Sequence, residues 1–229
     1  MMPAIRDSIF DRRQALKTYL LVSIVVAVSS EHAPVAEKAD TREKILDHAE
    51  TLFQERGFNG FSYADVSAPL GVKNAAIHYH FPAKADLGAA LIQRYRERFH
   101  SYASHMDEKY SDDPVRLLDG YIAIPRSFLD KSELGCPMGI LEAQYPNLPG
   151  TMQQETLLLA DELRQWLTGI LERGHQLGKF SFEGQAKDKA LVVAAALQGA
   201  MLMANAGSRQ LFTATVKQIK RDLGIKQGR

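Results

Sequence analysis

Cysteine is nearly absent from this chain: Cys136 is the single one among 229 residues. No disulfide can form within one subunit, and no cysteine-rich metal site can be built. There is no large excess of charge of either sign, because 28 Lys and Arg face 27 Asp and Glu. Contact with a polyanion must therefore come from a local patch rather than from a general positive field. Sequence patterns for enzyme chemistry are also missing. There is no Gly-x-Ser-x-Gly elbow, no phosphate-binding Walker loop and no dinucleotide fingerprint. His78 and His80 lie two residues apart on a helical pattern, so they point to different faces and make a poor metal pair. No enzyme, no metal and no cofactor is expected.

Strand signals are scarce as well. After Asp40 almost nothing alternates with period two, and the one Asn-Gly, Asn59-Gly60, lies between helical patterns. The expected fold class is all-α. A helix is read from about Thr41 to Arg56, with Ile45, Ala49, Leu52 and Phe53 on one stripe and Asp40 with Glu43 as a capping pair. Ser62-x-x-Asp65 is a capping box for a second, short helix, with Phe61 and Val66 placed as a hydrophobic staple; Pro69 and Gly71 close it. A third helix runs from Lys73 to about His80, and Pro82 opens a long fourth one from Ala83 to about Met106.

Two short helices around a glycine turn form a helix-turn-helix. Val66, Val72, Ile77 and Phe81 can seal its inner side. Lys73, Asn74, Ala76, His78, Tyr79 and His80 are left for the outer one. From Val66 to Ala85 there is no Asp or Glu, while Lys73 and Lys84 are basic. Close approach to a phosphate-lined groove needs such a surface, although a plain solvated hairpin has similar features.

Residues Thr41 to Leu87 resemble the N-terminal domain of the TetR/AcrR family. The resemblance rests on Gly57-Phe58, Ser62, Gly71-Val72 and Tyr79-His80-Phe81-Pro82-Ala83-Lys84. It departs at Ser67 and Leu70, where the family usually has alanine, at Lys73, where it has serine, and at Asn74-Ala75, where it often has Lys-Gly. These departures bear on the DNA sequence that is read. The resemblance implies that Tyr79, His80 and Lys84 contact phosphates, that Thr41 and Ser62 face the DNA backbone, and that Lys73, Asn74, Ala76 and His78 look into the major groove. Lysine suits guanine edges, asparagine suits adenine, and an alanine can touch a thymine methyl.

The organisation then reads as an N-terminal extension (1–39), a helix-turn-helix domain (40–87) and a helical effector and dimerisation domain (88–229). In the third part, Thr151 to Leu177 is amphipathic, and Asp188 to Gly207 is apolar on nearly every side. The latter must be buried all round, by its own domain and by a second subunit; the run is too short between charges for a membrane span. The resemblance implies a four-helix bundle between subunits. Pocket candidates are Tyr102, Tyr121, Phe128, Met138, Tyr145, Trp166 and Met203, with Arg126 and His105 as anchors. Plain core packing is the competing role for each. Cys136, ahead of Pro137 and a helix start, is a candidate for a thiol of lowered pKa, with a buried, inert cysteine as the preferred alternative.

The extension carries the apolar run Tyr19–Val28 behind Arg12, Arg13 and Lys17. It fits the core of a signal peptide, or an extra helix followed by the linker Ser29–Asp40; the second is preferred. The expected whole is a cytoplasmic, homodimeric repressor that binds an operator in double-stranded DNA, answers to a small-molecule effector and makes no membrane contact. The alternative is a helical ligand-binding or membrane-tethered module without DNA affinity.

Overall fold

The computed structural model describes residues 33–130 and 135–225. Among these residues there are nine α-helices and no strand: α1 (Ala33–Arg56), α2 (Tyr63–Leu70), α3 (Asn74–His80), α4 (Lys84–Lys109), α5 (Pro114–Asp130), α6 (Pro137–Gln144), α7 (Gly150–Gln176), α8 (Ala186–Asn205) and α9 (Arg209–Asp222). The Tyr19–Val28 run lies outside the described residues.

Helix α1 corrects the reading of its start. It begins at Ala33, so most of the expected linker is helical. The segment Ala33–Asp40 is rich in Ala, Glu and Lys, which are good helix formers, and its proline sits in the first turn where its missing N–H costs nothing. Asp40 is consequently no cap; it pairs with Lys44 one turn on, at 2.5 Å. The capping box of α2 is present as expected: the Ser62 side chain accepts from the Asp65 N–H, and the Asp65 carboxylate accepts from the Ser62 N–H. Gly71 closes α2 in the left-handed region, at φ 65°, where a side chain would be strained.

Helices α1, α2 and α3 pack around Ile45, Phe53, Val66, Ile77 and Phe81, all buried. This first core continues into α4 through Leu87, Leu91 and Ile92, and beyond it to Leu141, Leu148, Met152 and Leu159. Helix α1 thus touches α6 directly, and α4 packs along α7. Helix α4 runs unbroken across residues 87 and 88 and joins the two halves of the molecule. A second core gathers α5, α7, α8 and α9 around Leu117, Leu118, Leu171, Val193, Leu197, Ala200 and Phe212.

Candidate nucleic-acid interface and effector cavity

Helix α3 stands at one end of the molecule with its outer side open. Lys73, Asn74, His78 and Tyr79 are exposed, and Ala76 and His80 are half-buried. Tyr79 is the most open of the large residues, at 67 % exposure. The inner side is fastened at three points. Ile77 is fully buried. The Tyr63 hydroxyl donates to the Phe81 carbonyl at 2.7 Å, and burial together with the Asp86 carboxylate pushes its pKa up to about 12. The Ser67 hydroxyl lies 2.5 Å from the Asn74 side-chain carbonyl. His78 stacks edge-on against Tyr63, with Nδ1 3.2 Å from the Pro82 carbonyl. Nδ1 can meet that carbonyl only as a donor, so Nε2 is left towards solvent. The nearest carboxylates, Asp65 and Asp86, accept from N–H groups at the starts of α2 and α4.

Two sequence assignments are corrected here. The Lys84 ammonium, expected at a phosphate, is turned inward. It donates to the Phe58 carbonyl at 2.5 Å and to the Phe61 carbonyl, and it lies 4.5 and 4.4 Å from the rings of those residues. Burial pulls its pKa below the usual lysine value, opposed by Asp65. Lys84 is a clamp on the turn between α1 and α2. Lys84→Ala is expected to cost about 2 to 3 kcal/mol, the worth of hydrogen bonds from a charged donor plus ring contact, read by thermal unfolding. A loss below about 0.5 kcal/mol would contradict the clamp. Thr41 lies half-buried inside α1 rather than at a helix start. Ser62 does stand at a helix start, but its hydroxyl already donates to Asp65 at 2.6 Å.

Beside the shared apolar core, a polar network also ties α1 to α4 and α6. Arg94 on α4, 8 % exposed, holds Asp47 at 2.7 Å and Glu50 on α1, with Glu43 at 3.6 Å. Arg98 takes the same Glu50 at 2.9 Å. Gln54 donates to Glu50 and to the Tyr95 hydroxyl, both at 3.3 Å. From the other side, Gln144 at the end of α6 accepts the Phe58 N–H at 2.9 Å, and the Gly135 N–H reaches the Gln54 carbonyl at 3.1 Å. No signal in the sequence tied these positions together, because the pairs that link different helices are 41 to 86 residues apart.

A separate joint binds α4 to α7. Arg96 pairs with Glu155 at 2.6 Å and with Glu162 at 2.5 Å, and His100 lies 3.2 Å from Glu162. The Arg96 hydrogen bond holds the Glu162 carboxyl below its ordinary pKa, against partial burial. A depressed carboxylate pKa stabilises the fold above the unfolded value, near 4.5, and that contribution disappears as pH falls through the lowered folded value. Glu162→Gln should therefore flatten the acid limb of the stability profile below about pH 4.5. An identical acid limb in variant and parent would count against this joint.

Two abutting cavities lie between α4, α5, α6, α7 and α8. One, of about 130 Å³, is lined by Tyr102, Phe128, Cys136 and Met138, with Glu50, Gln54, Tyr95 and Arg98 at its polar end. The other, of about 390 Å³, takes in Tyr121, Cys136, Met138, Glu142 and Arg164 and reaches Leu191, Ala195 and Gly199 on α8. Five of the candidate pocket residues are thus brought together: Tyr102, Tyr121, Phe128, Cys136 and Met138.

The other five line neither cavity. Trp166 packs on Phe99, Tyr102 and Tyr121, and its indole N–H donates to Asp107 at 3.0 Å, so it forms the wall behind. Arg126 lies over Phe212, Tyr145 begins the turn after α6, His105 is half-buried on α4, and Met203 is exposed on α8. Cys136 caps α6, yet its thiol pKa is raised, not lowered. Burial outweighs the hydrogen bonds from Gly139 and Met138. Glu142, Arg164 and Tyr95 were missed because their roles depend on helices brought together from distant stretches of chain.

Comparison with known proteins fits this geometry. Residues 45–91 match the family model described as bacterial regulatory proteins, tetR family. The crystal structure of a TetR-family transcriptional regulator from Agrobacterium tumefaciens superposes with a TM-score of 0.74 at 33% identity, over 80% of this chain and 98% of that one. The chain belongs to the TetR family. Among curated regulators, this TetR-family chain is 27% identical over 174 residues to the HTH-type transcriptional regulator LmrA of Bacillus subtilis, covering 72% of this chain and 86% of LmrA. It is 26% identical over 170 residues to the HTH-type transcriptional repressor NemR of Escherichia coli, covering 72% and 84%. The homologues are transcriptional regulators rather than enzymes. Among the described residues no helix is long and apolar enough to cross a membrane.

Proposed function

We propose that this protein is a homodimeric transcriptional repressor that binds a near-palindromic operator through α3 and releases it when a small, largely apolar effector occupies the cavities beside α6. It acts in the cytoplasm, where the DNA is. The observation that carries the reading is the open, acid-free outer side of α3, held by a buried inner side, in a chain whose helical order follows that of a regulator 33% identical to it. Two recognition helices related by a two-fold axis engage half-sites one turn of DNA apart.

The location of the cavity supports the effector role. Glu50, Gln54, Tyr95 and Arg98 line its polar end and are also the residues that tie α1 to α4. A ligand that contacts them changes the free energy of the joint that aims α3, which is the differential interaction a population shift requires.

Tyr79→Phe tests the docking. Loss of one hydroxyl bond to a phosphate should weaken binding about 10- to 100-fold, and by the same factor on every duplex, because phosphates carry no sequence. A gel shift across several duplexes and salt concentrations reads this. Unchanged affinity would remove α3 from the interface.

A further inference from the structure

Ser67 and Asn74 are two of the positions at which this chain departs from the pattern it resembles, and the fold brings them together. Ser67 lies in the last turn of α2, 6 % exposed; Asn74 is the first residue of α3, exposed. The Ser67 hydroxyl has one proton and two acceptors in reach, the Asn74 Oδ1 at 2.5 Å and the Ala64 carbonyl at 3.3 Å. The nearer one takes it. The Asn74 amide is then held with its carbonyl oxygen drawn towards α2, and its nitrogen keeps two N–H donors. Lys73 beside it is also a pure donor, and no carboxylate lies between Val66 and Ala85 to accept a bond.

We propose that Ser67, a residue set back behind the interface, is a positioning residue that determines which base Asn74 prefers. The inference rests on the DNA-binding reading above. An unrestrained asparagine reads adenine by two bonds, accepting from N6–H and donating to N7. The carbonyl oxygen keeps a second lone pair, but while Ser67 holds it the amide is not free to turn both of its groups to one adenine edge, which weakens the accepting half of that pair. Its donors then favour bases that offer acceptors alone in the major groove edge it faces, guanine O6 and N7 or thymine O4, over adenine.

The test is selection from a pool of randomised duplex DNA by four full-length proteins: the parent, Ser67→Ala, Ser67→Thr and Asn74→Ala. The parent should favour guanine or thymine at one position of each half-site, and Asn74→Ala should flatten that position alone. Ser67→Ala should shift it towards adenine by roughly tenfold, the scale of one bidentate contact. Ser67→Thr, which keeps the hydroxyl, should follow the parent. Affinity for unselected DNA should be equal in the parent and Ser67→Ala, which a merely structural loss would not allow. Parent and Ser67→Ala giving the same base frequencies at that position would overturn the proposal. So would a parent that already favours adenine there, or a motif that Asn74→Ala leaves untouched. Enrichment of no sequence by the parent would overturn the DNA-binding reading itself and this inference with it.

Discussion

Val192→Glu is expected to yield a folded monomer whose operator affinity is at least about 100-fold lower than that of the parent. Helix α8 is apolar on two sides, and one subunit covers one of them. Val193, Leu197, Ala200, Met201 and Ala204 are buried within it. On the other side Leu191, Val192, Leu202 and Met203 are 49 to 63 % exposed. Their spacing makes a single stripe along the helix. Each is already about half covered, so covering the rest would contribute about 0.8 to 1.8 kcal/mol per side chain, and the partner's equivalent stripe doubles the sum. A glutamate at position 192 would have to be desolvated in that interface, but it costs a lone subunit little, because Val192 is 63 % exposed there. The DNA effect follows from avidity, since two linked half-site contacts exceed one by about 10² to 10⁴. Ala200→Glu is the contrasting variant. Ala200, on the same helix, is 0 % exposed within its own subunit. A charge there should unfold the chain rather than divide the dimer. Sedimentation and circular dichroism separate the two outcomes, and a Val192→Glu protein that remains dimeric would remove α8 from the interface.

Arg94→Ala should cost about 3 to 5 kcal/mol, the range found when one partner of a buried ion pair is removed. Arg94 is the most enclosed cation described, and its removal leaves Glu50, whose side chain is 17% exposed, with Arg98 alone. For a chain of this length, each kcal/mol moves the midpoint of thermal unfolding by about 2 to 4 °C, so a fall of roughly 10 °C is expected. Arg42→Ala is the control. Arg42 pairs with Glu43 at 3.1 Å, but both side chains are 44% exposed, and such pairs contribute less than about 1 kcal/mol. Equal effects of the two substitutions would contradict the part assigned to the α1–α4 joint.

What could be read from the sequence, and what could not, divides along the range of the interactions. The capping box at Ser62, the glycine turn at Gly71 and the apolar faces of α1 and α3 are local, set by neighbours within a turn or two, and they were legible. So were α4, α7 and α8, whose ends lie within about three residues of their expected places. The start of α1 was misjudged because Asp40 has the chemistry of a cap, and only the helical segment before it shows that it is an interior residue. Lys84 was read as a phosphate ligand because the turn that claims its ammonium lies 23 to 26 residues away. The structure favours the buried, inert reading of Cys136, which the sequence could prefer but not decide for a similar reason. The helix start is visible in the sequence, but the burial that outweighs it is not. Half of the candidate residues do line the cavities, because large groups in the middle helices must pack somewhere. Trp166 shows that size alone does not distinguish a wall from a lining.

The most direct test of the central claim is selection of bound fragments from sheared genomic DNA by the purified full-length protein, followed by sequencing. The account predicts a small set of enriched sites that share a near-palindromic motif, with half-sites centred about one helical turn apart, and loss of their enrichment with Tyr79→Phe. No enrichment over bulk DNA at low salt, or enriched sites without two-fold symmetry, would contradict it.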